Sequence, residues 1–509
     1  MAQNSSKTLI EVLELSEIVR TLGSKKILEW YEHSDSREAR VCRRIVEKTR
    51  GMVRDEDVFT PLGMDERIFQ RVLSNVKNML LEAVQEIELP EDQYSEYARR
   101  LLVLDLSHAR IRIIMRLGAA FTAAAESGKL YEEAKILEEW PTAISLATAL
   151  LTWNALSGDK KNYDRIATEV GILRARALAL DRANEMMDRV KIVFAKSGAE
   201  HPELLKIVRP AIRELTPIVQ KHGTFRLQEA LLMLRKKAEQ VTTDYDEALA
   251  ICDEMDRLLE AYPLFSNRSR KSRNALSRLL CTVQMKRYED AKQIVSSSED
   301  LFDSGGQDWY SFQVWRFLLL MHTKAFGAAY ELDREILARH DFSTQTEVTR
   351  HLWRLFLGHA QFWTNRTVTD AKFKRNEKPG AIHERLMKQY PSFKGDYAGY
   401  ELAAILLEIL VLLNQSRSDL ISRTESLLKY KTRHLGKEDV SRTNIFIDMM
   451  QLITLYDFDR EKIVKAARPM LRRMSKIKTI DRMQAMQVLP YEMTWEAVEV
   501  RLKNVFLSA

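Results

Sequence analysis

Glycine and proline, the residues that break helices and strands, are scarce in this chain. Its 509 residues include 17 glycines and 11 prolines, roughly half of average usage. Between these few breakers, apolar residues recur at three- and four-residue intervals, as in Ile68, Val72 and Val76, which is the spacing of one helix face. The sequence therefore predicts an all-α fold of long helices joined by short loops, with one helix from Asp65 to Glu88.

The length of the chain excludes a single compact core, because such cores stop growing at about 250 to 300 residues. Hydrophobic residues make up 45% of the chain and charged residues 30%, a composition typical of folded proteins. The sequence therefore predicts several domains or one long array of packed helices.

One short phrase, an aromatic residue followed three positions later by alanine, recurs along the chain. Its copies are Tyr131 to Ala134, Tyr245 to Ala248, Tyr288 to Ala291 and Phe326 to Ala329. The ring can pack against a preceding helix, and the small alanine lets the two backbones approach closely. We expect each copy to begin the second helix of a helical hairpin.

This phrase resembles the start of the second helix in tetratricopeptide repeats, most closely from Tyr245 to Pro263, where a proline follows the helix. The Trp-x-x-Leu-Gly opening of that family is absent, and the last three copies are 43 and 38 residues apart, against about 34 in the family. The resemblance implies an α-solenoid of antiparallel helix pairs with a concave binding face. We therefore predict an irregular solenoid over residues 91–509 and a helical N-terminal module or cap over residues 1–90.

Motifs for catalysis and for cofactor binding are absent from the sequence. It contains no GxxxxGK[ST] or GxGxxG phosphate loop, no HExxH metal motif and no GxSxG nucleophile motif, each of which has a defined chemical role. The three cysteines, Cys42, Cys252 and Cys281, form no CxxC pair and fit a reducing compartment. We therefore predict a protein that is not an enzyme and that has no metal or other cofactor.

We expect neither a signal peptide nor a membrane span from the sequence. The N-terminus has neither the basic start nor the apolar core of a signal peptide, and no apolar run reaches about 18 residues. The longest apolar stretch, Leu402 to Leu413, contains Glu408 and predicts a buried helix. We expect a cytoplasmic protein.

Positive charge is concentrated in the second half of the chain. Residues 1–260 carry 39 Lys and Arg against 43 Asp and Glu, whereas residues 261–509 carry 40 against 29, a net charge of +11. Such a surplus favours an acidic partner. The candidate partner-binding residues in this half are Arg268, Arg270, Lys271, Arg273, Arg316, Arg350 and Arg354.

The last three of these arginines lie among aromatic residues, a combination that dominates binding hot spots when it is exposed. Helical spacing places Phe312 and Trp315 on one face, however, so we predict that most of these rings belong to the hydrophobic core. Arg350 and Arg354 share a helix face one turn apart.

These observations favour a non-catalytic scaffold or adaptor that binds a peptide or protein partner through its helical-repeat surface, and the basic surplus predicts that this partner is acidic. An alternative is a nucleic-acid-binding repeat protein that uses the basic second half, although no equivalent polar side chain recurs in each repeat, as an RNA-reading code requires. A third hypothesis is DNA binding by the helix that begins at Asp65.

Overall fold

The fold is described from a computed structural model of the chain. It describes residues 32–48, 55–83, 94–197, 203–367, 398–413, 417–435, 441–477 and 487–502, with isolated positions before residue 32 and between residues 84 and 93. Throughout these ranges the regular secondary structure is helical and contains no strand, which confirms the predicted all-α class.

Twenty α-helices lie in the described residues. In chain order they are α1 (Arg37–Lys48), α2 (Asp55–Phe59), α3 (Glu66–Ala83), α4 (Glu96–Arg116), α5 (Ala120–Ile136), α6 (Trp140–Ser157), α7 (Lys160–Ser197), α8 (Glu203–His222), α9 (Phe225–Thr242), α10 (Tyr245–Ala261), α11 (Arg268–Gln284), α12 (Tyr288–Ser298), α13 (Gln307–His322), α14 (Phe326–Leu337), α15 (Glu347–Thr367), α16 (Ala398–Leu412), α17 (Arg417–His434), α18 (Arg442–Leu455), α19 (Arg460–Lys476) and α20 (Tyr491–Leu502).

The chain divides into two compact units, Met1–Asp181 and Arg182–Ala509, which we call the first and the second unit. Within the first unit, α1 and α3 pack together around an apolar cluster drawn from residues 9–80. The domain boundary predicted near residue 90 comes after the last residue of this cluster in the sequence, and it stays a prediction.

The helix predicted from Asp65 is confirmed over Glu66–Ala83. The Asp65 carboxylate accepts a hydrogen bond from the Ile68 amide at 2.8 Å. Residues 84–86 and 88 of the predicted helix lie outside the described ranges.

Neighbouring helices pack in the order of the chain within each unit. In the first unit α5 packs against both α4 and α6, and in the second unit each helix from α8 to α12 packs against the next. Short loops between packed neighbours make them antiparallel hairpins. Packing of each helix mainly against its sequence neighbours is the arrangement of an α-solenoid.

Three hairpins of the second unit have the same type of turn between their two helices. Their second helices begin at Tyr245, Tyr288 and Phe326, as the recurring phrase predicts. The alanine three positions later is fully buried in each copy. Two residues before each aromatic, the backbone is left-handed, at φ +63° for Thr243, +60° for Lys286 and +61° for Lys324.

The left-handed residue closes the end of the first helix in these hairpins. At Lys286, its amide donates to the Val283 carbonyl at 3.0 Å, and the Arg287 amide donates to the Thr282 carbonyl at 2.9 Å. These two hydrogen bonds satisfy the last carbonyls of the helix, and the chain reverses its direction within two residues. The turn therefore fixes the angle at which each second helix folds back.

The phrase at Tyr131 does not begin a helix, so that prediction is wrong. Tyr131 lies inside α5, where its hydroxyl donates to Glu169 at 2.8 Å. The equivalent turn comes later, where Glu138 has φ +55° and Trp140 begins α6. Ala143, three residues after Trp140, is fully buried.

The aromatic residues of α13 and α15 are mostly core, as their helical spacing predicts. Trp353 and Phe356 are fully buried, and Phe317 stacks on Phe356 with ring centroids 4.2 Å apart. Trp309 is partly buried and lies under the Arg339 guanidinium, 4.5 Å from the ring centre. These rings stabilise the packing of α13 on α15.

The apolar stretch near residue 402 forms the buried helix α16, which confirms its prediction. Glu408 is buried within it, and burial raises the pKa of this carboxyl to about 7 despite the nearby charge of Arg423, whose Nε lies 2.8 Å from Oε2. Among the described residues, no helix combines the length and the apolar character that crossing a bilayer requires.

Candidate partner-binding sites

The basic residues at the start of α11 include one internal side chain. The Arg270 guanidinium donates two hydrogen bonds to the Glu229 carboxylate, at 2.6 and 3.2 Å, and a third to the Phe265 carbonyl at 3.1 Å. It also lies 5.1 Å from the centre of the Phe225 ring. Arg270 thus ties α11 to α9, and its charge is used within the second unit.

The other three residues of this cluster are exposed. Arg268 pairs with Asp303 at 2.9 Å, and Arg273 donates to the Ser269 carbonyl one turn earlier at 3.2 Å. Lys271 and Arg273 form no ion pair with a residue that the structure describes. These two side chains keep their charge available to a partner.

The remaining candidate arginines lie on α13 and α15. Arg316 pairs with Glu299 at 2.6 Å, so Arg316 and Arg268 both contact the connection between α12 and α13. Arg350 and Arg354 are partly buried on α15, and neither is ion-paired within the described part of the chain. The structure therefore places the seven candidates on three different helices, with Arg270 committed to an internal contact.

Further basic residues of the second half also neutralise carboxylates of the same unit. Arg278 lies 2.6 Å from both Asp253 and Asp256, and Arg287 lies 2.7 Å from Asp246. Ion pairs of this kind reduce the positive surface that the net charge suggests. Docking of an acidic partner on the basic half stays a prediction, with Lys271, Arg273, Arg350 and Arg354 as its remaining candidates.

An open cavity of about 680 Å³ lies in the second unit. Residues 242–246 and 283–286, in the turns of two consecutive hairpins, form one side, together with His322 at the end of α13. The other side comes from the start of α18, the end of α19 and the residues that lead into α20. Most side chains that line it are polar or charged. We call it the turn cavity.

Two cations and one carboxylate form a network at the turn cavity. Arg442 donates to Glu492 Oε1 at 2.5 Å and to the Met474 carbonyl at 2.9 Å. The Nζ of Lys286 is 3.9 Å from the same Glu492 oxygen. Burial opposes ionisation of Glu492, but the hydrogen bond from Arg442, a backbone hydrogen bond and the charges of Arg442 and Lys286 together lower the pKa of the carboxyl. Arg442 is thus held internally, whereas the exposed Lys286 can reach a ligand.

His322 joins a hairpin to the C-terminal helices. Its Nε2 lies 2.8 Å from the Gln487 carbonyl, and its Nδ1 lies 3.5 Å from the Tyr288 hydroxyl. Burial lowers the pKa of His322 to about 4, so the ring is neutral at physiological pH. The Nε2–H then donates to Gln487, and Nδ1 is left as an acceptor for Tyr288.

The chain matches no protein-family model, and no curated protein or solved structure is detectably similar to it. Within the described ranges, no three His, Cys, Asp or Glu side chains are grouped to hold a metal ion. The candidate function therefore depends on the geometry of the turn cavity and on the surfaces described above.

Proposed function

We propose that this chain is a non-catalytic, tetratricopeptide-like scaffold that binds a peptide or protein segment in the turn cavity. The single observation that supports this function is the cavity itself, because consecutive hairpin turns border it and leave it open to solvent. Pockets for small ligands are mostly apolar and bury most of the ligand surface. An open, largely polar cavity is better suited to a peptide, whose backbone needs hydrogen-bond partners along its length.

The charges at the cavity indicate which side chains a partner would offer. Arg442 neutralises Glu492, and Arg287 pairs with Asp246. The charges left on the lining are the positive charge of Lys286 and the negative charge of Asp244, which caps α10. An acidic side chain of the partner is therefore expected close to Lys286. This pairing of one acidic side chain with Lys286 does not require the whole second half of the chain to act as a basic surface.

Filling the turn cavity is expected to remove the partner. Ser475 lines the cavity and is exposed, and its hydroxyl donates to the Arg472 carbonyl three residues earlier at 3.0 Å. A Ser475→Trp variant should place an indole in the cavity without disturbing the core. Tagged wild-type protein purified from its native cells should retain a partner that this variant loses by at least about tenfold, the scale of one well-packed contact.

Ser296 on α12 provides a matched control, because it is also exposed and donates to the carbonyl three residues earlier, Gln293, at 3.0 Å. It does not line the turn cavity. Quantitative mass spectrometry of the copurified proteins should give the same partner for wild type and Ser296→Trp. An identical set of proteins for wild type, Ser296→Trp and Ser475→Trp would contradict the proposed site.

A further inference from the structure

A group of exposed apolar side chains lies at one end of the helices α4 to α6. Leu117 follows the last residue of α4, Phe121 is the second residue of α5, and Leu156 lies near the end of α6; their exposed fractions are 81%, 64% and 70%. Phe121 meets Trp153 of α6 edge to face, with centroids 5.0 Å apart. We call Leu117, Phe121, Trp153 and Leu156 the apolar end.

The placement of these residues follows from the hairpins of the first unit. The end of α4 and the start of α5 are joined by three residues, and α6 runs antiparallel to α5, so its last turn lies beside Phe121. Helix α7 begins two residues after α6 and brings the exposed ring of Tyr163 to the same end. Single exposed apolar side chains are common, but a contiguous group of them marks an interaction site.

Four positive side chains lie near the apolar end, compared with two carboxylates, those of Asp159 and Asp164 at the start of α7. Arg112 and Arg116 lie on the last turns of α4, and Lys160 and Lys161 begin α7. All four are exposed, and none forms an ion pair within the part of the chain that the structure describes. This differs from the second unit, where Arg270, Arg278 and Arg287 neutralise nearby carboxylates.

We propose that the apolar end docks this protein on the surface of an anionic lipid bilayer. Protruding Leu and Phe side chains at loop ends can enter the boundary between headgroups and acyl chains, as the apolar face of an interfacial helix does. Trp and Tyr, here Trp153 and Tyr163, favour that boundary. The unpaired cations lie beside the apolar side chains, where they can contact lipid phosphates and anionic headgroups.

An exposed apolar face could also bind a second copy of this chain, but the charge around the apolar end disfavours such a dimer. A two-fold contact through the apolar end would bring Arg112, Arg116, Lys160 and Lys161 of one copy towards the same residues of the other. Like charges facing each other across an interface oppose association. A bilayer instead supplies many negative charges together with an apolar layer.

The test uses the full chain and lipid vesicles of defined composition in a sedimentation assay. The protein should bind vesicles of phosphatidylcholine that contain about one third phosphatidylserine, and bind pure phosphatidylcholine at least about tenfold more weakly. A variant with Leu117→Ser, Phe121→Ser and Leu156→Ser should lose at least about tenfold in binding, because it removes the inserted side chains. A variant with Arg112→Gln, Arg116→Gln, Lys160→Gln and Lys161→Gln should bind both vesicle types equally weakly.

A Val103→Ser, Leu178→Ser variant is the matched control, since these side chains are 60% and 73% exposed on α4 and α7 but lie away from the apolar end. It should bind as wild type does, and circular dichroism should show every variant folded. Three outcomes overturn the proposal: no vesicle binding by wild type, equal loss in the control, or a dimer in solution that the triple serine variant dissociates. None of these outcomes bears on the turn cavity, which lies in the other unit.

Discussion

Replacing Arg270 with methionine is expected to lower the free energy of unfolding by about 2 to 3 kcal/mol, because it leaves a partly buried carboxylate without its hydrogen-bonding partner. The Arg270 and Glu229 side chains are only 16% and 15% exposed. Two hydrogen bonds join them, and Arg270 holds the Phe265 carbonyl as well. Urea denaturation followed by circular dichroism measures the change.

Lys271 is the matched control for this prediction, as it is the next residue of α11 and is exposed. Lys271→Met should change stability by no more than about 0.5 kcal/mol. Equal, small effects of the two substitutions would show that the Arg270 pair contributes little. The result also bears on tests of partner binding. Charge reversal at Arg270 would disturb the fold, and the resulting loss of binding could be mistaken for the loss of a contact with the partner.

Acidification from about pH 6.5 to pH 4 is expected to remove about 3 kcal/mol of stability through His359 alone. This side chain is 4% exposed, and its Nε2 lies 3.1 Å from the Ala403 carbonyl. Burial lowers the pKa of His359 from 6.5 to about 4. Between these values the unfolded chain binds a proton that the folded chain does not, so stability falls as the pH falls.

A His359→Gln variant isolates this contribution, because glutamine can donate to the Ala403 carbonyl but does not titrate. The free energy of unfolding is measured in urea at about pH 7.5 and pH 4.5 for wild type and variant. The loss between the two pH values is then compared between the two proteins. Wild type should lose about 2 to 3 kcal/mol more than the variant over this interval. Parallel losses would show that His359 does not stay neutral in the folded chain.

The hairpins of the second unit could be predicted from sequence because their signal is local. The aromatic and the alanine three residues later define the start of α10, α12 and α14, and both side chains are close in the chain to the helix that they pack against. The same phrase at Tyr131 misleads, because the residue that decides where a hairpin turns is the left-handed one. Here that residue is Glu138, Thr243, Lys286 or Lys324, and none of them is a glycine that would mark the turn.

The turn cavity could not be predicted in this way. It joins residues 242–286 to residues 442–490, and no local pattern relates two segments so far apart. Contacts between residues distant in sequence also explain why the net charge of the second half overstates its basic surface. Glu229 precedes its partner Arg270 by 41 residues, so counting charges along one cluster cannot show that a lysine or arginine is already neutralised.

The measurement that tests the proposed scaffold function most directly is photocrosslinking from inside the turn cavity. A photoreactive amino acid would replace Thr242, which lines the cavity and is exposed, or Ser296 on α12, which is exposed and does not line it. In native cells, position 242 should give a discrete crosslinked protein, attached through one segment, and position 296 should not. Equal crosslinking at both positions, or none at position 242, would contradict the proposed scaffold function.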